Sequence, residues 1–322
     1  MKGEGRGRRT VGEAVGAAPE MRRLGLADLQ RFKEAFAAAD KRVWCYYFPF
    51  LLCYSRSPSR SILWMQERGS LAVFLARGAQ RPRLDVLFPP IPMQGEALRA
   101  CVDIVNEWNG DRSGRILWVD KADAAAIWRA GGWAVRLKEE EYVYSPGELS
   151  GLGGGRWRTV RRNVERVARL PGLQIRDYRA DDAETCRQLL ARWEVTQGRR
   201  HTRVLDRGYT LACLELAPCL RVPNLVGEVI LVDGKVVGFA FGGEMRRGMA
   251  SFFIAKADTS VRGLSYFQRW HFLERLREYE EVNDASDLGH PGLAQFKKSL
   301  RPVGMVAVFS AEQTTRPAGA ST

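Results

Sequence analysis

The chain has 322 residues, 45% hydrophobic and 27% charged, which excludes a wholly disordered chain, a collagen-like fibre and a small disulfide scaffold. Fifty Lys and Arg against 37 Asp and Glu give a net charge of +13, which favours polyanionic partners: nucleic acid or an anionic membrane surface. No apolar run approaches the ~20 residues a membrane helix needs; the longest candidate, residues 43–54, is cut by Pro49.

Residues 1–20 begin with Lys2, Arg6, Arg8 and Arg9, but no apolar core follows, so they are read as a flexible tail and the protein as cytoplasmic. The six cysteines form no C-x-x-C and are expected to be reduced thiols. His201, His271 and His290 are scattered, and no zinc motif holds them.

Leu26, Leu29, Phe32 and Phe36 have helical spacing, which predicts a helix over 24–38. The aromatic run 44–50 reads as core or pocket wall. Strands are expected at 62–65 and 71–75 around a turn at Gly69, and at 83–88, ending at Pro89-Pro90. A helix over 96–108 would bury Leu98, Cys101, Val102 and Val105. A strand at 116–119 and a helix at 122–130, stopped by Gly131-Gly132, follow.

A loop at Ser145-Pro146-Gly147 and the glycines 151, 153, 154 and 155 mark a seam between domains. Helices are expected at 156–170 and 181–197, and a hairpin at 226–242 around Asp233-Gly234. Then come a strand at 249–255, a helix at 265–279, a short strand entering a loop within 280–288, a helix at 292–300 and a strand at 303–309. Alternating strands and helices with several adjacent strands predict a mixed α/β or α+β fold. The expected domains are 21–146 and 147–312, with a tail at 313–322.

Two regions carry candidate chemistry. The helix after the glycines holds Arg156, Arg158, Arg161, Arg162, Arg166 and Arg169 against one acid, Glu165. Arg158, Arg162 and Arg169 share a face, and arginine suits bidentate phosphate contact, with Trp157 available for stacking. The glycines themselves lack a nucleotide-binding pattern. The second region is Asn283-Asp284-Ala285-Ser286-Asp287-Leu288-Gly289, followed by Gly292-Leu293, Lys297, Ser299 and Arg301-Pro302. An Asp and a Lys in one loop-helix unit can serve as base and electrostatic group, or simply as a cap and a surface charge. Lys297 is expected beside the apolar stripe Leu293, Phe296 and Leu300.

Glu141-Tyr142-Val143-Tyr144, Arg161-Arg162-Asn163, Lys256-Ala257-Asp258 and the string from Asn283 to Pro302, in that order, resemble the C-terminal domain of bacterial phosphatidylglycerol lysyltransferases. The resemblance covers 24–310. It implies two tandem GNAT-like acyltransferase domains with mixed sheets, related to Fem-type transferases. It also implies transfer of an amino acid from aminoacyl-tRNA to a small-molecule, peptide or phospholipid acceptor. In the lysyltransferases the acceptor is a lipid headgroup. An acidic position usual in the family is Ala285 here.

The implied roles are Asp287 for orienting or deprotonating the nucleophile and Lys297 as oxyanion or phosphate cation. Arg158, Arg161, Arg162, Asn163, Lys256, Asn283 and Arg301 support substrate binding. No metal or dissociable cofactor is called for. Membrane contact, if used, would be peripheral. Two alternatives stand beside this reading: an acyl-CoA-dependent N-acyltransferase, and a non-enzymatic protein binding RNA or an anionic surface. Residues 261–265 lack the glycine pattern of a CoA pyrophosphate turn.

Overall fold

Apolar runs bounded by turn residues become strands here, and apolar residues at three-to-four spacing become helices. The computed structural model describes residues 21–56, 59–80, 82–198, 206–220 and 225–314; the tail 1–20 and His201 lie outside them. In chain order the first elements are β1 (Arg22–Arg23), α1 (Leu29–Ala39), α2 (Phe48–Tyr54), β2 (Arg60–Glu67), β3 (Ser70–Arg77), β4 (Arg83–Ile91), α3 (Gly95–Asn109), β5 (Arg115–Asp120), α4 (Lys121–Ala130) and β6 (Trp133–Tyr144). There follow α5 (Pro146–Ser150), α6 (Arg158–Ala168), β7 (Leu173–Asp177), α7 (Ala183–Gly198), α8 (Arg207–Leu216), β8 (Val226–Val232), β9 (Lys235–Arg246), β10 (Met249–Ala257), α9 (Leu264–Arg275), β11 (Glu281–Asn283), α10 (Pro291–Ser299) and β12 (Gly304–Gln313).

Two compact units divide the chain. Unit one gathers Met1–Lys41, Tyr54–Lys138 and Ala307–Thr322. Its strands lie in the order β1-β2-β3-β4-β5-β12, with the first half of β6 beside β12. Neighbours from β1 to β4 are antiparallel, β4 and β5 are parallel, and β5 and β12 are antiparallel. The α3 helix lays Leu98, Cys101, Val102 and Val105 on this sheet, as their spacing predicts. Pro89 and Pro90 do not end β4. The register with β3 slips between Leu71↔Ile91 and Val73↔Phe88, and a bulge of this kind accommodates residues with no N–H to give.

Unit two gathers Arg42–Cys53 and Glu139–Val306. Its strands run from the second half of β6 through β11, β10, β9 and β8 to β7. All neighbours are antiparallel except β10 and β11, which pair in parallel over three residues only, ending at Ser251↔Asn283. The β8–β9 hairpin turns at Asp233 and Gly234, both with positive φ (49° and 75°), the pair of conformations a two-residue turn of this hand requires.

One face of this sheet packs Tyr142, Tyr144, Ala250, Phe252 and Val282 beneath α6 and α9. Val160, Val164 and Val167 form the buried stripe of α6. Residues 145–147 open a short helix rather than a loop, because Pro146 sits at its first position, where a missing N–H is harmless.

Candidate active site

β11 ends at Asn283, and the chain leaves the sheet through Asp284, Ala285, Ser286 and Asp287. Ala285 and Leu288 hold positive φ (50° and 55°), a conformation that costs a residue with a Cβ roughly 1–2 kcal/mol. The surroundings therefore impose it, and they act from two sides. Lys297 on α10 donates to the carbonyls of Asp284, Ala285 (3.2 Å) and Ser286 (3.0 Å). From the other side, Asn283 Oδ1 accepts from the Ala285 N–H at 2.8 Å. Its Nδ2 donates to Glu141 Oε2 at 2.6 Å and to the Arg42 carbonyl at 2.9 Å.

Ser286 Oγ donates to Glu139 at 2.6 Å. Held this way, Asp287 accepts from the Tyr142 hydroxyl at 2.7 Å and from the Gly289 N–H at 2.9 Å.

The charges around the loop are largely buried. Lys297 is 2% exposed and Asp284 3%. They stand 3.5 Å apart, and Arg269 donates to Asp284 at 3.0 Å while lying over the rings of Phe252 and Phe296. Burial pushes Lys297 down to about 8, with the Asp284 carboxylate opposing the fall. Burial pushes the Glu141 carboxyl up to about 8, with the hydrogen bonds from Asn283 and the Trp44 N–H opposing the rise. Burial and the bond to Asp287 push the Tyr142 phenol up to about 12.

Asp287 is only half-buried. A carboxylate placed so, fixed by a phenol and a main-chain N–H, can orient an amine or hydroxyl and take its proton. Lys297 has three donors, and all three meet main-chain carbonyls. In this arrangement it supplies positive field to the site rather than a free hydrogen bond. Lys297 was expected beside the apolar stripe of its helix. It is instead the helix's one buried residue, while Leu293 and Phe296 are half-buried.

The remaining expected residues fall in separate clusters. Lys256, 3% exposed, pairs with Asp206 and sits 3.9 Å from the centroid of the Trp193 ring. Arg301 is exposed beyond the end of α10. Arg158 and Arg162 are exposed on α6. Arg161 turns back and donates to the carbonyls of Leu152 (2.7 Å) and Gly154 (3.3 Å), tethering the glycine stretch.

Asn163 is buried. It donates to the Thr159 carbonyl at 2.8 Å and accepts from Arg166 at 3.1 Å. Trp157, expected as a stacking surface, is 1% exposed and belongs to the core, where its apolar area is removed from water. Gly263, at the turn before α9, has a φ of 93°, and a Cβ there would stand 3.1 Å from Asn163 Oδ1. That turn is packed against α6.

Sequence reasoning assigned no role to Glu141, Tyr142, Asp284 or Arg269. Their partners lie far along the chain, 145 residues for Tyr142 and Asp287 and 142 for Glu141 and Asn283. The available signal was an acid and two tyrosines inside a strand-like quadruplet.

Over residues 56–312 the chain matches the family model described as phosphatidylglycerol lysyltransferase, C-terminal. It is similar to a conserved protein of unknown function from Bacteroides thetaiotaomicron VPI-5482, with 20% identity and a TM-score of 0.76 over 91% of this chain and 99% of that one. It is similar to L-PGS from Bacillus licheniformis, with 15% identity and a TM-score of 0.63 over 92% and 94%. A third structure, FemX, shares 11% identity with a TM-score of 0.59 over 89% and 96%. At these identities the likeness is one of fold, that of tandem GNAT-like acyltransferases. No curated protein matches the chain.

Proposed function

The chain belongs to the family of phosphatidylglycerol lysyltransferase C-terminal domains, and from that premise we propose that it moves an amino acid from aminoacyl-tRNA to an amine or hydroxyl acceptor. The observation that best supports this reading is the half-buried Asp287, held by Tyr142 just beyond the end of β11. An aminoacyl ester is already activated. The enzyme need only align the nucleophile, accept its proton and stabilise a tetrahedral oxyanion.

Asp287 orients the acceptor and takes its proton as the new bond to the ester carbonyl carbon forms. The tetrahedral intermediate then collapses: the ester C–O bond to the tRNA ribose breaks, and the ribose oxygen leaves with the proton that Asp287 took up. Lys297 and Arg269 flank the buried carboxylate Asp284, and the Lys297 ammonium lies close enough to Asp287 to interact with its carboxylate, so the loop carries a base with positive charge beside it. Arg158 and Arg162 are open to phosphates of the tRNA. The acceptor is a small molecule, a peptide or a phospholipid headgroup, the last met by peripheral contact. Among the described residues no helix is long and apolar enough to cross a membrane.

The acyl-CoA reading is weakened by the turn before α9, residues 261–265, which lacks the glycine pattern of a CoA pyrophosphate turn. The test is incubation with a mixture of charged, labelled tRNAs and a cell extract. Label moved into an extract fraction supports transfer. Retention of intact charged tRNA, with no accelerated loss of the amino acid, overturns it in favour of binding alone.

A further inference from the structure

Glu141 is wholly buried on the sheet face opposite Tyr142, and neither the reaction nor the tRNA contacts above use it. One oxygen, Oε2, accepts from two donors, the Trp44 N–H at 3.0 Å and Asn283 Nδ2 at 2.6 Å. The other, Oε1, has no hydrogen-bond partner among the described residues. Asn283 is equally buried, and its own oxygen fixes the N–H of Ala285, the residue at which the chain adopts positive φ and swings Asp287 toward Tyr142. Glu141 therefore stands at the root of a chain of contacts: Glu141 to Asn283, Asn283 to Ala285, Ala285 to the loop that presents Asp287.

We infer that Glu141 is a positioning residue for the transfer reaction, acting through Asn283 to hold the Asp287 loop in its strained, productive conformation. The inference rests on the transfer reading given above for the reaction, but not for the loop. Without Glu141 the Nδ2 of Asn283 would keep only the Arg42 carbonyl, and the side chain, held at one point instead of two, could turn its Oδ1 away from the Ala285 N–H. A displacement of about 1 Å at a reacting group costs on the order of 10²-fold in rate.

Gln is the informative replacement for Glu141. Its carbonyl oxygen can accept from both donors as Oε2 does, so Glu141→Gln preserves the contact and removes the ionisable group. Glu141→Ala removes the contact. The experiment measures hydrogen exchange over residues 284–289 beside single-turnover transfer and KM. The expected result for Glu141→Ala is faster exchange in that segment and a fall in kcat of on the order of 10²-fold, with KM for charged tRNA little changed. Glu141→Gln restores both protection and rate.

Should Glu141→Ala unfold, Asn283→Ala removes the same acceptor one step later and is expected to give the same pattern. Unchanged exchange at 284–289 in the Ala variants, or a Glu141→Gln protein as slow as Glu141→Ala, overturns the inference. Exchange that responds as stated in a protein that transfers nothing from any charged tRNA leaves the loop contact standing and removes the transfer reading.

Discussion

Two regions of unit two are rich in basic side chains and use them in opposite ways. On α6, Arg158 and Arg162 project into solvent from a helix whose valines face the core. At the loop after β11, Lys297 is buried against Asp284 and main-chain carbonyls, and Arg269, half-buried, pairs with the same carboxylate. Exposed arginines cost little and remain open to a partner. Buried ones must be matched by oxygen atoms, and the matching fixes the backbone that supplies them. A linear reading weights the two alike, because it counts charge and cannot count what the charge already touches.

The sharpest way to break this comparison is at Asp287. The carboxylate is the loop's open acid, so Asp287→Asn, which keeps the shape and removes the base, is expected to slow transfer by on the order of 10²–10⁴-fold, the range for one general base. A rate unchanged in single-turnover assays with charged tRNA would mean that the loop is ordered for some other purpose.

Lys297 tests the buried side. Lys297→Met keeps the volume, removes the charge and leaves three carbonyls without their donor. Breaking a buried ion pair costs about 3–5 kcal/mol, to be read from the denaturant midpoint. Lys298→Ala, its exposed neighbour, is expected to stay within about 0.5 kcal/mol of the parent. If the two variants were equally stable, the ammonium would not be holding the loop.

How much of this is legible in the sequence depends on the range of the interactions. The Asp233-Gly234 turn, the α3 stripe and the valine face of α6 are local patterns, and the structure follows them. β6 is not among the expected elements, although its first half alternates Trp133, Val135 and Leu137 with Ala134, Arg136 and Lys138, the period-two pattern of a strand, with Arg136, Leu137 and Lys138 exposed. α8 lies in a stretch for which the sequence predicts no element, although Thr210, Ala212, Cys213 and Leu214 are buried.

At the site, Asn283, Asp287 and Lys297 are legible because they share one loop-helix unit. Glu141 and Tyr142 carry no such signal, since only the β6–β11 pairing brings them to that loop. The tethering of Arg161 is equally hidden, as its acceptors are carbonyls and every residue has one.

The pH dependence of stability separates Glu141 from Lys297. The folded pKa of Glu141 is raised from 4.5 to about 8. Between those values the unfolded chain binds fewer protons than the folded one, so this carboxyl makes stability fall as pH rises from 4.5 toward 8. The folded pKa of Lys297 is lowered from 10.5 to about 8. Between 8 and 10.5 the unfolded chain binds more protons, so this amine makes stability rise with pH. Denaturation midpoints across both windows are expected to lose the fall in Glu141→Gln and the rise in Lys297→Met. A Glu141→Gln curve parallel to the parent below about pH 8 would show that the carboxyl is already ionised in the fold.

The smallest expected effects are on α6, and there the comparison is made within one helix. Arg158 and Arg162 are exposed, whereas Arg161, one position before Arg162, is occupied by the carbonyls of Leu152 and Gly154. A phosphate contact releases condensed counterions, so removing one arginine–phosphate pair lowers the slope of log affinity against log salt by about 0.7–0.9. Arg158→Ala and Arg162→Ala are each expected to flatten the slope for tRNA by about one such step, weakening binding alike for every tRNA. Arg161→Ala is expected to leave the slope in place and to loosen residues 151–155, seen as faster hydrogen exchange there. If Arg161→Ala flattened the slope as much as its neighbours, its guanidinium would have to leave the glycine stretch on binding. If none of the three changed the slope, α6 would be a solvated face, and the phosphate contacts would have to come from other basic residues.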